Sequence, residues 1–130
     1  MNTDILVPVS PGELIDKITI LQIKSDRISD PEKLANVRIE LDLLEATWRN
    51  SAHAASDIDV ERTALRSINE KLWDIEDRIR DKERRHSFDQ EFIDLARAVY
   101  VTNDERSAVK RRININLGSR IVEEKSYTEY

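Results

Sequence analysis

The chain has 130 residues, the length of one domain, with a net charge of −5 and no cysteine. Without cysteine it can form neither disulfides nor a Cys-rich zinc site, and nothing indicates an oxidising compartment. Residues 1–65 contain 7 Lys and Arg against 12 Asp and Glu, whereas residues 66–130 contain 14 of each kind. An acidic first half argues against general nucleic-acid binding, because that affinity comes mainly from neutralising phosphates.

The first ten residues lack the layout of a signal peptide, because they open with Asp4 instead of a basic stretch and carry only a short apolar run. No window approaches the ~20 consecutive apolar residues that a membrane-spanning helix needs. We therefore expect one cytoplasmic domain over residues 1–130, with no membrane span.

The first predicted helix begins at Pro11 after the N-cap Ser10, with Glu13 placed to reach back to the cap as in a capping box. It ends near Ser29, because the residue before Pro31 disfavours helical geometry. Its apolar residues surround most of its circumference, as in helices that are buried on more than one side. They are Leu14, Ile15, Ile18, Ile20, Leu21, Ile23 and Ile28. This excess of apolar surface predicts a homodimer.

The second predicted helix runs from Pro31 to about Asn50, with Asp30 as its N-cap. Its apolar side chains recur at steps of three and four, the period of one helical face. They are Leu34, Val37, Leu41, Leu44 and Trp48. Residues 50–59 are small and polar, which predicts an exposed, mobile loop between two helical hairpins.

The third predicted helix, from about Asp59 to Arg85, has the most regular apolar stripe. The stripe consists of Leu65, Ile68, Leu72, Ile75 and Ile79. Three acid-first pairs at i,i+4 mark its solvated side. They are Asp74 with Arg78, Glu76 with Arg80, and Asp81 with Arg85. Trp73 lies off the stripe, which would suit a helix junction or a subunit contact, but we favour core packing for it as for Trp48.

Residues 87–90 form a capping-box pattern that opens a fourth apolar stripe, and Gly118 is expected to end it. If this helix is continuous, Thr102 and Arg106 occupy the centre of its apolar face. The alternative is a break at Thr102, since residues 102–105 are themselves a capping-box pattern, and a fifth helix would then begin at Asn103. We favour the break.

The two ends of the chain are predicted to be short extended segments. Residues 119–130 contain an alternating run that suits a short strand or an extended arm, and the β-branched residues 5–9 offer it a partner for pairing. The predicted fold class is all-α, an antiparallel bundle of four long helices whose last member is broken near Thr102.

A local excess of basic residues reverses the overall sign of the chain between residues 97 and 112, where five basic residues accompany two acidic ones. The candidate ligand-binding residues in and beside this segment are Arg97, Asn103, Arg106, Lys110, Arg111 and Asn114. Cations and amide donors that converge beside an apolar face suit a carboxylate or phosphate ligand. The plainer account, which we favour, pairs Arg106 and Lys110 with acids of another helix such as Asp74 or Asp77.

Other chemistry has little support in the sequence. The two histidines, His53 and His86, lack metal-ligand spacing, and two glycines are too few for a phosphate-binding loop, so we expect no metal and no cofactor. Acid/base catalysis would need an inward carboxylate, for which Asp16, Glu76 and Asp77 are the candidates. A solvated or salt-bridged surface role is favoured for each of them.

Four runs of the chain resemble a family of bacterial domains of unknown function. They are PGELIDKITIL at 11–21, TNDER at 102–106, KRRIN at 110–114 and EEKSY at 123–127. The resemblance spans nearly the whole chain and implies no catalytic residue. It further implies an association with tetratricopeptide or glycosyltransferase-like proteins.

The function that these observations predict is a non-enzymatic assembly or binding module with a local basic site for an anionic ligand or partner. The alternative is a small helical enzyme acting on an anionic metabolite, such as a carboxylate, a phosphate or a sugar nucleotide. In that enzyme Arg97, Arg106, Lys110 and Arg111 would clamp the substrate.

Overall fold

The computed structural model describes residues 2–130, which form four long α-helices. They are α1 (Pro11–Arg27), α2 (Pro31–Arg49), α3 (Asp59–Arg84) and α4 (Gln90–Asn116). The predicted all-α fold is confirmed, and so is the non-helical segment between α2 and α3, which covers residues 50–58. None of these helices is both long enough and apolar enough to cross a membrane.

The first two helices begin where the sequence predicts. Ser10 Oγ accepts a hydrogen bond from the amide of Glu13 at 3.2 Å, and an oxygen of Asp30 accepts one from the amide of Lys33 at 3.1 Å. The reciprocal half of the predicted capping box is absent, because the carboxylate of Glu13 binds Lys110 on α4 instead. A charged partner outweighs a backbone amide for this carboxylate.

The corner between α3 and α4 differs from the prediction, because α4 is capped by Asp89 and not by Ser87. His86 adopts a left-handed φ of 53°, and the amide of Ser87 donates to the carbonyl of Lys82 at 2.9 Å, which closes the C-terminus of α3. Ser87 is used in that closure. Asp89 then accepts from the amide of Phe92 at 3.1 Å and starts α4.

The predicted break at Thr102 is wrong, because α4 is one continuous helix. Thr102 is fully buried and Arg106 is half-buried, so the alternative account, with polar residues on the inward face, describes α4. A capping pattern is a local preference, and continuous packing of α4 along α3 overrides it. The predicted stop is confirmed, because Gly118 has a φ of 66° and the amide of Ser119 donates to the carbonyl of Asn114.

The first helix lies at the centre of the domain and packs against the other three helices. This position explains its apolar circumference, since Ile15, Ile18 and Ile23 are each 2% exposed or less. The apolar excess from which the homodimer was predicted is therefore covered within the chain. Among residues 2–130, α1 is the only helix whose backbone lies close to that of α2.

The hydrophobic core is continuous from α1 through the start of α3 to the end of α4. Its buried members are Leu14, Ile15, Ile18, Trp48, Ile58, Leu65, Val109 and Ile113. Trp48 is in the core as predicted, whereas Trp73 is half-buried. The core therefore sits beside the first turns of α1.

The described ends of the chain are extended and form no strand. The predicted pairing of residues 5–9 with the C-terminal segment is therefore absent, and residues 119–130 are an extended arm. A pair of short strands needs a packing surface, and Ile5 and Leu6 are 88% and 90% exposed.

Two of the three predicted i,i+4 pairs on α3 are present. Glu76 pairs with Arg80 at 3.0 Å, and Asp81 pairs with Arg85 at 3.0 Å. The predicted pair of Asp74 with Arg78 is absent. Asp74 binds Arg27 on α1 at 2.6 Å instead, because an interhelical partner lies within reach.

Replacing Thr102 by valine is expected to stabilise the protein. Thr102 is 0% exposed, and its hydroxyl has no hydrogen-bond partner among residues 2–130. Valine keeps the shape and removes an unsatisfied polar atom, so we expect a gain of about 1 kcal/mol in the free energy of unfolding, measured with urea. The reverse change at the neighbouring core position, Val109→Thr, is the control and should destabilise. A loss of stability in Thr102→Val would contradict the burial of a free hydroxyl.

Candidate functional site

The first turn of α1 rests directly on the backbone of α4. The amide of Gly12 donates to Oδ1 of Asn114 at 2.7 Å, and Asn114 is 2% exposed. A methyl group on Gly12 would overlap the carbonyl oxygen of Lys110 and lie 2.9 Å from Asn114 Oδ1. Glycine is required here because the two helices approach this closely.

A partly buried ion cluster lies at the first turns of α1, with the ammonium of Lys110 at its centre. Lys110 Nζ lies 2.5 Å from Glu13, 3.4 Å from Glu123 and 3.9 Å from Asp16. The side chain of Lys110 is 13% exposed and that of Asp16 is 6% exposed. We call Lys110 and these three carboxylates the Lys110 cluster.

The ionised forms are favoured at the core of this cluster. Burial by itself raises the pKa of Glu13, but the hydrogen bond and the charge of Lys110 outweigh it and hold that pKa below its ordinary value. Burial likewise lowers the pKa of Lys110, and the carboxylates of Glu13, Asp16 and Glu123 together raise it above its ordinary value. The pair therefore stays charged at neutral pH.

Asn69 connects the Lys110 cluster to α3. Its Nδ2 donates to Asp16 Oδ1 at 2.9 Å and to Thr19 Oγ1 at 3.0 Å, while Thr19 Oγ1 donates to the carbonyl of Asp16 at 2.8 Å. Asp16, Thr19 and Asn69 are each 5% exposed or less. A buried polar group must be paired in this way to avoid a large desolvation cost.

The C-terminal arm, residues 119–130, closes the cluster from outside. Besides the contact of Glu123 with Lys110, Glu124 pairs with Arg111 at 3.1 Å, and the hydroxyl of Tyr130 donates to Asp104 at 2.5 Å. The first half of the arm therefore contacts Lys110 and Arg111, and its last residue contacts Asp104, nearly two turns earlier on α4. The basic surface of Lys110 and Arg111 is thus occupied by carboxylates of the same chain.

Arg106 lies on a different surface, a cavity of about 300 Å³ between α1, α3 and α4. Ile20, Ile23, Leu72 and Trp73 form its apolar walls, and Asn69 lines it as well as binding Asp16. We call it the Arg106 cavity. It is of a size that a small ligand can fill.

Some charged side chains that line the Arg106 cavity are in ion pairs and others, within residues 2–130, are not. Glu76 and Arg80, which line it, pair with each other at 3.0 Å. Arg106 has no carboxylate within 4.0 Å in residues 2–130, although Asp77 lines the same cavity. The two arginines and two acids of the lining sum to zero formal charge. Because Glu76 pairs with Arg80, the guanidinium of Arg106 is left free, within the described residues, in this mostly apolar cavity.

The six candidate residues of the sequence fall into three groups. Lys110, Arg111 and Asn114 come together, and each is engaged by groups of this chain. Arg106 faces its cavity, and Asn103 is half-buried. Arg97 is exposed and lies thirteen residues before Lys110, about 20 Å along the helix axis.

Sequence reasoning did not find Glu13, Asn69 or Glu123 as members of the site. A signal existed for Asn69, since it stands four residues after Leu65 and three before Leu72, on the edge of the apolar stripe of α3. The surface role favoured for Asp16 is wrong, because Asp16 is 4% exposed and takes the inward position, where it lies 3.9 Å from the ammonium of Lys110. Among residues 2–130, no group of three or more His, Asp or Glu side chains is arranged to hold a metal ion.

A comparison with protein-family models matches residues 5–130 to a family of unknown function, DUF6165. The chain belongs to this family. Searches of curated proteins and of solved structures gave no match. The association with tetratricopeptide or glycosyltransferase-like proteins stays a prediction.

The four runs that carried the family resemblance meet in the structure of this DUF6165 domain. Residues 11–21 supply Glu13 and Asp16, residues 110–114 supply Lys110, and residues 123–127 supply Glu123. The remaining run, 102–106, binds the arm through Asp104 and ends at Arg106. Segments far apart in the chain therefore build one connected region, with the Lys110 cluster on one side of Asn69 and the Arg106 cavity on the other.

Proposed function

We propose that this DUF6165 domain is a non-enzymatic binding module whose ligand places an anionic group in the Arg106 cavity. The observation that carries the proposal is the half-buried guanidinium of Arg106, which faces this cavity without a carboxylate partner in residues 2–130. A guanidinium has five N–H donors in a planar fork that matches a carboxylate or phosphate. Its stem and the apolar walls would hold the ligand's body.

The lining favours a monoanion with an apolar body over a highly charged ligand. The walls contributed by Ile20, Ile23, Leu72 and Trp73 favour apolar groups, while Asp77 would repel a second negative charge. Among the remaining candidates, Asn103 stands one turn before Arg106 on α4 and is proposed as an outer contact of a longer ligand. Arg97, nine residues before Arg106, lies on the opposite side of the helix and is not proposed to contact that ligand. Lys110, Arg111 and Asn114 are proposed to position α4 beside the cavity through their contacts with α1 and the arm.

Catalysis has weaker support than binding in this geometry. A general acid at neutral pH needs a carboxyl group with a raised pKa, whereas the pKa of Glu13 is held below its ordinary value by Lys110 despite its burial. Asp16 and Glu76 are both tied to cations. Asp77, the third candidate, lines the cavity but is exposed to solvent, so it lacks the enclosure that such a role needs. The small helical enzyme stays the alternative, and turnover of a bound anion by the purified domain would establish it.

The binding proposal is tested with benzoate, an apolar monoanion, against its neutral analogue benzamide. We expect benzoate, and not benzamide, to raise the melting temperature of the wild-type domain, because a ligand that binds only the folded form stabilises it. Arg106→Gln should weaken benzoate binding at least about tenfold in calorimetry, and Arg106→Lys should retain part of it.

The matched control is Arg112→Gln, which removes an exposed arginine of the same helix that lines no described cavity. It should bind benzoate like the wild type. Equal affinity of the Arg106→Gln variant and the wild type would contradict the proposal. No saturation of the wild type by about 10 mM benzoate would contradict it too.

We also propose that the domain forms a homodimer in the cytoplasm through the outer face of α2. This helix is covered by α1 on one side only, and it exposes Ile39 and Leu43, which stand one turn apart and are 70% and 49% exposed. The cytoplasmic location is proposed because the chain has no cysteine, so that nothing in its composition indicates an oxidising compartment.

Sedimentation equilibrium tests the dimer. The mass of the wild type should rise with concentration toward twice that of the monomer, and Ile39→Lys should shift the equilibrium to monomer. Glu40→Lys places the same charge one residue away, outside the apolar face, and should leave the mass unchanged. A wild-type mass that is monomeric at all concentrations refutes the dimer without affecting the binding proposal.

A further inference from the structure

A second cavity, of about 590 Å³, separates α2 from α3. Both helices pack on α1, yet their own backbones do not approach each other within the described residues. They diverge from the loop at 50–58, and Gln22 of α1 contributes to the lining between them. We call this space the α2–α3 cleft. Its volume lies within the range of pockets for small-molecule ligands.

Both helices turn polar side chains toward the cleft. Helix α3 contributes Arg62, Thr63, Arg66 and Ser67 from one face, while α2 contributes Arg49 and the edge of buried Trp48. Facing helices of one domain normally bury apolar stripes against each other. Here charged and hydroxyl groups face each other across an open space, so α2 and α3 do not pack apolar stripes against each other along the cleft.

Two of the three arginines that line the cleft have no carboxylate partner within the described residues. Arg66 is bound to Glu70 at 2.9 Å and to Asp26 at 2.5 Å. Arg49 and Arg62 have no carboxylate within 4.0 Å in residues 2–130. The lining holds three arginines and the two glutamates Glu45 and Glu70, and Asp26, which binds Arg66 from outside the lining, brings the local sum to zero in a chain of net charge −5.

We propose that the α2–α3 cleft binds a small dianionic oxyanion ligand, with a phosphomonoester as its best representative. Arg49 and Arg62 supply the two free guanidiniums that a dianion needs, and each can bind oxygen atoms in a bidentate manner. The hydroxyls of Thr63 and Ser67 are additional donors on the same wall. This inference does not depend on the Arg106 cavity, which shares no lining residue with the cleft and suits a monoanion.

Each site has its own fluorescent reporter, because Trp48 lines the cleft and Trp73 lines the Arg106 cavity. In the full-length Trp73→Phe variant, the fluorescence of Trp48 is followed while ribose 5-phosphate is added at low salt without phosphate buffer. We expect a saturable change with ribose 5-phosphate and none with ribose. Succinate in a parallel titration distinguishes a dicarboxylate from a phosphate ligand, and saturation by either supports the shared dianion chemistry.

Arg62→Gln and Arg49→Gln in the same background should each weaken the binding at least about tenfold, and Arg62→Lys should weaken it less. Arg38→Gln is the matched control, because Arg38 is exposed on α2, has no ion pair in residues 2–130 and does not line the cleft. It should bind like its parent. Arg106→Gln should also leave this titration unchanged.

Three results would overturn the inference. One is the absence of saturation by ribose 5-phosphate and by succinate up to about 10 mM. Another is unchanged affinity in both the Arg49→Gln and the Arg62→Gln variants. The third is loss of binding in Arg106→Gln while Arg62→Gln binds normally, which would move the ligand to the Arg106 cavity and leave the proposed function standing.

Discussion

The Gly12→Ala variant should lose about 2–4 kcal/mol of its free energy of unfolding. The added methyl group would overlap the backbone carbonyl of Lys110, which cannot swing away as a flexible side chain can. Helix α1 must therefore move off α4, which stretches the hydrogen bond from the Gly12 amide to Asn114. Because α1 packs on all three other helices, the displacement disturbs the whole core.

Urea unfolding of Gly12→Ala measures this loss, and Gly118→Ala is the matched control. A methyl group on Gly118 meets nothing within 4 Å, so this variant carries only the strain of a φ of 66°. That strain costs about 1 kcal/mol. If Gly12→Ala were no less stable than Gly118→Ala, the close approach of α1 to α4 would be wrong.

The Lys110→Met variant should lose about 3 kcal/mol of stability at neutral pH, because it removes the cation beside buried Asp16. It also leaves partly buried Glu13 with only the exposed Lys17 among residues 2–130. Glu13, Asp16 and Glu123 all lie within 4.0 Å of Lys110 Nζ in the wild type. Adding Glu13→Gln to Lys110→Met should restore part of the loss. Arg111→Met, which breaks only the exposed pair with Glu124, should change stability by less than about 1 kcal/mol.

The stability of Lys110→Met should depend on pH with the opposite sign to that of the wild type. In the wild type the pKa of Glu13 is lowered by folding, so its contribution is present above its ordinary pKa of 4.5 and is lost as the pH falls through the folded value. The pKa of Lys110 is raised, so its contribution is complete below 10.5 and is lost as the pH rises through the folded value. Wild-type stability should therefore fall on acidification below pH 4.5.

Without Lys110, the only cation within 4.0 Å of Glu13 among residues 2–130 is the exposed Lys17 at 3.7 Å, so the pKa of Glu13 should rise and its protonation should relieve the repulsion among the carboxylates. Lys110→Met should consequently gain stability as the pH falls from 7 toward about 5, in a range where the wild type changes little. Urea titrations at several pH values measure both curves. Parallel curves for the two proteins would contradict the cluster.

Periodicity and helix caps were sufficient to predict the four helices, because these signals lie within a few residues of each other. Ser10, Asp30 and Gly118 each bind groups of their own helix end. The same local rule failed at Thr102, where a capping pattern lies inside a helix that tertiary packing keeps continuous. It also failed at Ser87, which the end of α3 had already engaged.

The candidate site was predictable only in part, because its contacts join distant segments. The basic residues of α4 could be found from composition, but Glu13 lies 97 residues from its partner Lys110. Which cation would stay free could not be read from the sequence, since Arg106 and Lys110 stand on one helix one turn apart. Only the packing of α1 and of the arm against α4 separates their roles.

Two neighbouring cations of α4, Lys110 and Arg106, thus have different roles in the structure. Lys110 is engaged by three carboxylates and ties α1, α4 and the arm together. Arg106 faces a cavity with free donors. On our account, the first residue is needed for stability and the second for binding.

The most direct test of this account measures benzoate affinity and the free energy of unfolding side by side for Lys110→Met and Arg106→Gln. The Lys110→Met, Glu13→Gln double variant replaces the first if that variant does not fold. We predict a crossed result, in which the Lys110 variant loses stability and binds benzoate when folded, while the Arg106 variant keeps its stability and loses at least about tenfold in affinity. The reverse pattern, with Arg106→Gln unstable and still binding, would contradict the account.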